Sequence, residues 1–193
     1  MIFLEDDYYG DTRFHIPFIA WYQVMNASLA LTTMEVLKDR IPVTMEQLQA
    51  GIANTRWQGR METILPGVIV DGAHNEDGVR RFVETAERFQ KEYPLTLLFS
   101  AVNDKDYQDM IHTICSRIKF RKVVTTEVGG YREVPSAELA EIFCKEGCKD
   151  VGNSDNIEEA FHMAHEAKGE DGMLFCVGSL YLVGEIKTLL LKK

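Results

Sequence analysis

The chain has 193 residues, of which 46% are apolar and 26% charged, so it can bury a hydrophobic core in one or two domains. The formal net charge of -9 argues against a protein that binds the phosphate backbone of nucleic acids, because such proteins present basic surfaces. No apolar run is long enough to span a bilayer and no signal peptide is visible, so we predict a cytoplasmic protein that binds neither nucleic acid nor membrane.

Residues 1–57 are predicted to form a short extended start followed by two helices. Apolar residues recur at helical spacing between Phe18 and Leu37, with alanines and leucines clustered. A second helix is predicted to begin after Thr44, a typical N-cap residue, and to end near residues 51–54. This helical segment differs in pattern from the rest of the chain.

Strands and helices alternate from residue 58 to the end. A helix follows each of the strands, which are predicted at VIVD, PLTLLFSA, KVVTT, the region of Val151, and MLFCV. Continuous apolar strands separated by helical periods indicate a mostly parallel sheet that is covered on both faces. With right-handed crossovers, this pattern predicts a doubly wound α/β domain.

Two short patterns resemble parts of metal sites. Cys144 and Cys148 have the i, i+4 spacing of a metal half-site, but no second pair completes it. A chain of this length does not need disulfides, so reduced structural thiols are the favoured interpretation of its four cysteines. His162 and His165, at i, i+3, also lack a partner motif, and a half-exposed helix face is favoured for them. No metal site is predicted within the chain.

The stretch VIVDGAHNEDG ends a predicted strand in several polar side chains. Asp71 closes the strand, Gly72 permits a tight turn, and His74 and Asn75 lead into the next helix. Ligands of open parallel sheets bind beyond the carboxyl ends of the strands, so the three polar side chains are expected to face that crevice. Asp71 is suited to accept hydrogen bonds from sugar hydroxyls, and His74 to bind an anionic oxygen or to move a proton.

A purely structural role would also account for this stretch. Asn75 followed by two acidic residues is an ordinary N-cap with a charged first turn, and the GxGxxG dinucleotide pattern is absent. The unpaired N–H groups of a helix N-terminus nevertheless suit a phosphate or a carboxylate. From the residues alone, a structural cap and a ligand site both stay open.

QGRMETI, residues 58–64, together with VIVDGAHNEDG resembles the folylpolyglutamate synthase and dihydrofolate synthase family, which belongs to the Mur ligases. YQVMNASLALTTMEVL, GGYREVPSAELAE and GSLYLVGEI fit the same family in the expected order, so the resemblance covers nearly the whole chain. It implies a Rossmann-like C-terminal (glutamate ligase) domain at residues 58–193, preceded at residues 1–57 by the helical tail of the central domain.

Members of that family use ATP to join an acid to glutamate, through an acyl phosphate that the amine of glutamate attacks. The resemblance therefore implies ATP and Mg²⁺ as cofactors, with folate or dihydropteroate and L-glutamate as substrates. It also implies that Asn26, Arg60 and Asp71 contact ATP, with Asp71 near the ribose and Arg60 available to the phosphates. A guanidinium suits phosphate charge that grows during transfer.

The resemblance further implies that His74 is a catalytic and substrate-binding residue near the phosphate or the incoming glutamate. It places Ser179 in the same region, at the start of the last helix. A structural role stays open for three of these residues: Asn26 could cap a neighbouring backbone group, Arg60 on a strand could be a surface charge, and Ser179 could be only an N-cap. Arg132 could serve the site from its loop, although a solvated charge is favoured.

The sequence departs from the family in one respect, because no GxxxxGK(S/T) phosphate loop occurs in its 193 residues. Family members carry that loop and the magnesium ligands in an N-terminal domain. The chain is therefore expected to hold half of the ATP site, to be inactive alone, and to need the missing N-terminal ATPase domain as a partner.

The helices at the start of the chain would then have lost neighbours. Exposed apolar surface favours self-association, so a homodimer is predicted through the helix that contains Trp21, Tyr22 and Leu29. Two alternatives to the folate ligase stay open: a sibling Mur ligase of cell-wall synthesis, and a non-catalytic module that binds a nucleotide or a protein.

Overall fold

The computed structural model describes residues 8–130 and 132–191. The predicted extended start falls partly outside this range, as does the tyrosine of GGYREVP, Tyr131. The described residues up to Gln58 form one compact unit, and those from Gly59 onwards form another. No helix in the described ranges is long and apolar enough to cross a membrane.

The first unit contains two helices, α1 (Tyr22–Val36) and α2 (Met45–Asn54). A capping box begins α2: Thr44 Oγ1 accepts the Gln47 N–H at 3.3 Å, and Gln47 Oε1 accepts the Thr44 N–H at 2.9 Å. The small core of this unit consists of the buried side chains of Tyr9, Phe14, Leu31 and Leu48. The predicted pair of helices is therefore present, with α1 beginning four residues later than expected.

Helix α1 and the residue before it expose several large apolar side chains, although Leu31 of the same helix is buried. Trp21, just before the helix, is 61% exposed, and Met25 and Leu29 are 66% and 69% exposed. Gln23, in contrast, is buried. A water-facing apolar stripe at i, i+4, i+8 is typical of a helix face that packs against another protein surface.

The second unit is a six-stranded sheet with five helices, and it confirms the predicted doubly wound, mostly parallel α/β fold. The strands lie in the order β1-β2-β6-β3-β4-β5, and only β1 is antiparallel to its neighbour. Their bounds are β1 (Glu62–Leu65), β2 (Val68–Asp71), β3 (Leu95–Phe99), β4 (Phe120–Thr125), β5 (Val151–Asn153) and β6 (Met173–Val177). The helices are α3 (Glu76–Gln90), α4 (Tyr107–Arg117), α5 (Ser136–Lys145), α6 (Ile157–Lys168) and α7 (Leu180–Leu191).

Helices cover both faces of this sheet, which explains why its central strands are continuous apolar runs. On one face, Val68 and Val70 of β2 pack in a cluster with Leu182 of α7. On the other face, Phe175 of β6 makes an edge contact with Phe82 of α3, with ring centroids 5.5 Å apart. Burial on both sides holds the strands in one register, so the positions of their carboxyl ends are fixed.

That register brings two predicted site segments together. Asp71, the last residue of β2, pairs with Val177, the last residue of β6. The DGAHN turn that follows β2 and the GSLYL turn that follows β6 therefore leave the sheet side by side.

Candidate functional site

The turn that contains Arg60 has a backbone conformation that few sequences tolerate. Gly59 has φ +67° and Met61 has φ +45°, and Met61 is the only described non-glycine residue with positive φ. Arg60 lies half-buried between them, in the turn before β1, so the prediction that Arg60 is on a strand is wrong. Strained backbone of this kind persists only where neighbouring groups hold it, and it is concentrated at functional sites.

Three hydrogen bonds hold this turn. Gly59 donates its N–H to Glu62 Oε2 at 2.7 Å, and its carbonyl accepts the Gly72 N–H at 2.7 Å. Met61 donates its N–H to Asp71 Oδ2 at 2.8 Å. The turn is thus fastened to the carboxyl end of β2 at two points.

Glu62 is held in turn by Lys187 of α7. Lys187 Nζ lies 2.8 Å and 3.0 Å from the two carboxylate oxygens, and both side chains are about one quarter exposed. Neither residue was predicted from the sequence, because 125 positions separate them and neither belongs to a local motif. Only the tertiary fold brings them together.

Asp71 is buried at the end of β2, and its contact with ATP stays a prediction. It is 2% exposed, and its second oxygen, Oδ1, accepts the Ala73 N–H at 2.8 Å. Burial raises the pKa of Asp71, whereas the hydrogen bonds from Met61 and Ala73 and the charge of Arg60 act in the opposite direction. The carboxylate joins the Arg60 turn to the DGAHN turn, and each oxygen retains capacity for one further hydrogen bond.

Gly72 and Gly178 allow close packing at the carboxyl end of the sheet. A Cβ on Gly72 would lie 2.2 Å from Leu180 Cδ2, at the start of α7. Gly178, with φ +111°, leads from β6 into α7, and a Cβ there would lie 2.1 Å from the Ser100 carbonyl oxygen. Side chains at these positions would push α7 away from the end of the sheet.

His74 has one ring nitrogen engaged and one available. Nδ1 lies 2.7 Å from the Gly72 carbonyl oxygen, which can only accept, so Nδ1 carries the proton. The half-buried ring therefore leaves Nε2 to accept a hydrogen bond or, when protonated, to donate one. Asn75 is exposed and caps α3, because its Oδ1 accepts the Gly78 N–H at 2.8 Å.

Ser179 is the N-cap of α7. It is 2% exposed, and its Oγ accepts the Tyr181 N–H at 3.1 Å. The capping role of this serine is therefore confirmed. Ser179 lies beside the end of β2, and its contact with the substrate stays a prediction.

Asn26 lies in the first unit, on α1. Its Nδ2 donates to Gln23 Oε1 at 3.0 Å, so its partner is a side chain and not the backbone group that a capping role would require. Asn26 borders a mostly apolar cavity of about 150 Å³, whose walls include Phe18, Ile52 and Trp57.

Arg132 is partly exposed, as a solvated charge would be, but it has defined partners. Nη1 lies 2.9 Å from Asp104 Oδ2, and Nη2 donates to the Tyr181 hydroxyl at 3.4 Å. His162 is exposed on α6, and His165 stacks on Phe161 of the same helix. In residues 8–130 and 132–191, no group of three or more His, Cys, Asp or Glu side chains could hold a metal ion.

Fold and site together define a doubly wound α/β domain whose polar groups gather where β2 and β6 end. The sequence matches the family model "Mur ligase, glutamate ligase domain" over residues 59–180, which is more than half of the chain. The chain belongs to this family.

Its relatives are folate enzymes. The chain is 30% identical over 191 residues to the dihydrofolate synthase/folylpolyglutamate synthase of Bacillus subtilis (strain 168), covering 95% of this chain and 42% of that protein. It is also similar to the folylpolyglutamate synthase of Mycobacterium tuberculosis solved with ADP and AMPPCP, with TM-score 0.78 and 26% identity over 94% of this chain and 42% of that one. The corresponding enzyme of Thermotoga maritima gives TM-score 0.73 and 26% identity, with the same coverage. The chain thus spans less than half the length of these relatives.

Proposed function

We propose that the chain is the C-terminal portion of an ATP-dependent ligase that adds glutamate to folate or dihydropteroate through an acyl phosphate. The observation that carries the proposal is the buried Asp71 carboxylate, which fastens the strained Arg60 turn beside His74 at the end of β2. Similarity over nearly the whole chain to a folylpolyglutamate synthase supplies the reaction class.

Arg60 is assigned to the phosphates of ATP. Its guanidinium extends from a turn whose backbone is held by three hydrogen bonds, and such a charge suits the negative charge that develops during phosphoryl transfer. Asp71 is assigned two tasks: it holds that turn, and its remaining acceptor capacity suits a ribose hydroxyl.

His74 and Ser179 are assigned to the acyl phosphate and the incoming glutamate. Nε2 of His74 is the ring atom left for an anionic oxygen or for a proton of the attacking amine. The Ser179 hydroxyl keeps its proton for donation while its oxygen caps α7.

Asn26 is assigned to the base of ATP. The cavity beside it has aromatic and aliphatic walls with an amide at its border, a composition that suits a purine ring with polar edges. The described residues do not fit a magnesium site, since no acidic or histidine cluster of sufficient size is present among them. We therefore assign no step of the reaction to a residue of this chain acting as a metal ligand.

The chain by itself is proposed to be inactive. Without a phosphate loop, the transferring phosphoryl group loses most of its charge stabilisation, and the relatives carry more than half of their length beyond the matched region. The proposed partner is the N-terminal ATPase domain of such a ligase.

The test is folate- and glutamate-dependent ADP release. The chain alone should release none, whereas a longer protein that includes the upstream domain should, and Asp71→Ala should abolish that release. Release by the chain alone would contradict the half-site proposal. A longer protein that turns over cell-wall precursors but not folates would instead support the sibling ligase, and one that binds nucleotide without turnover would support the non-catalytic module.

Self-association through α1 is proposed for the isolated chain. The exposed stripe formed by Trp21, Met25 and Leu29 offers a continuous apolar face for a second copy. Size-exclusion chromatography with light scattering should show a dimer that Leu29→Lys converts to a monomer. Arg80→Glu, on the exposed surface of α3, is the matched control and should leave the dimer intact. A monomeric wild-type chain would contradict this proposal.

A further inference from the structure

Two thiols meet at the amino end of the sheet, opposite the edge that carries Arg60 and Asp71. The Sγ atoms of Cys115 and Cys148 lie 3.6 Å apart, although 33 positions separate the residues. Cys115 is buried on α4 and Cys148 is half-buried in the loop between α5 and β5. Cys144 and Cys148, which have the spacing of a metal half-site in the sequence, are not the pair that the fold brings together.

The end of α5 explains this pairing. Gly147 has φ +90° and donates its N–H to the Cys144 carbonyl, while Cys148 donates its N–H to the Phe143 carbonyl, both at 3.0 Å. These two bonds form a Schellman motif, which reverses the chain at Gly147. Cys144 stays exposed on the helix, and Cys148 turns back toward Cys115.

A cavity gives small reagents access to this thiol pair. It has a volume of about 360 Å³ and is bordered by both cysteines together with Lys119, Glu146 and Lys149. The lysines supply positive charge beside the sulfurs, and Glu146 is engaged by His112 at 2.9 Å. A partly exposed thiol near cationic side chains is the environment in which cysteines react.

The two thiols differ in acidity. The hydrogen bond from Cys115 lowers the pKa of Cys148, and Lys119 acts in the same direction against burial and Glu146. The same bond and burial raise the pKa of Cys115. Cys148 is thus the more readily ionised sulfur and also the more exposed one.

We propose that Cys115 and Cys148 are a site of reversible oxidation, which forms an intramolecular disulfide when the protein meets a hydroperoxide. The Cys148 thiolate attacks one oxygen of hydrogen peroxide, breaks the O–O bond, and becomes a sulfenic acid while the other oxygen leaves as water after taking a proton. Cys115 then attacks the Cys148 sulfur and displaces a second water. In total, two thiols and one hydrogen peroxide give one disulfide and two water molecules, and the peroxide accepts two protons and two electrons.

The geometry favours this second step. The sulfurs need to approach from 3.6 Å to about 2.0 Å, a movement that side-chain rotation and a small shift of the α5–β5 loop can provide. The resulting bond would tie α4 to that loop across the start of β4.

Tryptic mass spectrometry tests the proposal on the intact chain. Lys145 separates Cys144 from Cys148, so after peroxide treatment peptide 106–117 should be found linked to peptide 146–149. Reduction by dithiothreitol should separate them again. Cys144→Ser is the matched control and should retain the link, whereas Cys115→Ser and Cys148→Ser should both lose it.

A sulfenic acid trap distinguishes the two sulfurs. In Cys115→Ser, dimedone should label Cys148, and in Cys148→Ser it should leave Cys115 unlabelled. The peptide map of the wild-type chain requires no substitution, so it tests whether the Cys115–Cys148 disulfide forms even if a variant fails to fold. A link between Cys144 and Cys148, a link between chains, or no link at a peroxide dose that oxidises Cys144 would each overturn the proposal.

Discussion

Lys187 on the last helix and Glu62 at the start of the first strand of the α/β unit form an ion pair that supports the Arg60 turn. Lys187 Nζ contacts both oxygens of Glu62, and Oε2 of Glu62 also accepts the Gly59 N–H. The position of α7 is thereby linked to the turn that contains Arg60.

Breaking this pair should destabilise the chain. Glu62→Gln and Lys187→Met should each lower the free energy of unfolding by roughly 1 to 2 kcal/mol, because a quarter-exposed, charge-assisted contact is lost. The double variant should lose less than the sum of the two, as measured by urea denaturation. Arg80→Ala, which removes an exposed pair with Glu76, should cost less than about 0.5 kcal/mol. Additive losses in the double variant would show that the pair does not act as a unit.

Asp71 should make stability depend on pH. Its folded-state pKa is raised from the ordinary value of 3.8, so its contribution to stability is fully present below that value and is lost as the pH rises through the folded pKa. Asp71→Asn lacks this titration. The free energy of unfolding of the wild type minus that of the variant should therefore fall as the pH is raised from 3.8 toward neutrality. A difference that stays level would mean that the hydrogen bonds and the neighbouring charges balance burial, and a difference that rises would mean that they outweigh it.

Alanine at Gly72 and alanine at Gly178 should have different consequences for stability. Gly72→Ala meets the end of the half-exposed Leu180 side chain and should cost roughly 1 to 2 kcal/mol. Gly178→Ala meets a backbone oxygen at positive φ and should cost about 3 kcal/mol or more. Leu180→Ala should restore most of the loss in the first variant and none in the second, as measured by thermal unfolding. Equal rescue of both would indicate that the start of α7 is mobile.

The capping box of α2 should contribute to the helical unit. Thr44→Ala removes the acceptor for the Gln47 N–H and should lower stability by about 1 kcal/mol. Thr33→Ala, whose hydroxyl only bonds the preceding turn of α1, serves as the control and should be close to neutral. Loss of helicity should be followed by far-ultraviolet circular dichroism during urea denaturation. If Thr44→Ala left the free energy of unfolding unchanged, α2 would be held by packing alone.

The sequence predicted those features that depend on local pattern. The strand ending at Asp71 and the cap at Asn75 follow from periodicity and residue type within a few positions. Strand β1 is absent from the predicted strands, although Arg60, two residues before it, was placed on one, because a four-residue edge strand that begins with Glu62 has little apolar signal. It gains its structure from pairing with β2.

The details of the site that escaped prediction depend on distant partners. The burial of Asp71 follows from its bond to Met61, ten positions earlier, and the pairing of Cys115 with Cys148 follows from the packing of α4 against the end of α5. Spacing along the chain contains no information about such contacts. The motif predicted a turn after β2, which is present, and the fold determines which of its polar atoms remain available for a further hydrogen bond.

The two edge strands of the sheet also limit how copies of this unit can aggregate. Strand β5 has only three residues, and β1 has four with a register irregularity between Thr63 and Leu65. Short or irregular edges offer too few aligned N–H and C=O groups for another strand to add. Edge-to-edge addition of strands from other copies is therefore disfavoured in the native state. The sheet of the α/β unit should not extend into a neighbouring copy at concentrations at which proteins with longer, flatter edge strands would aggregate.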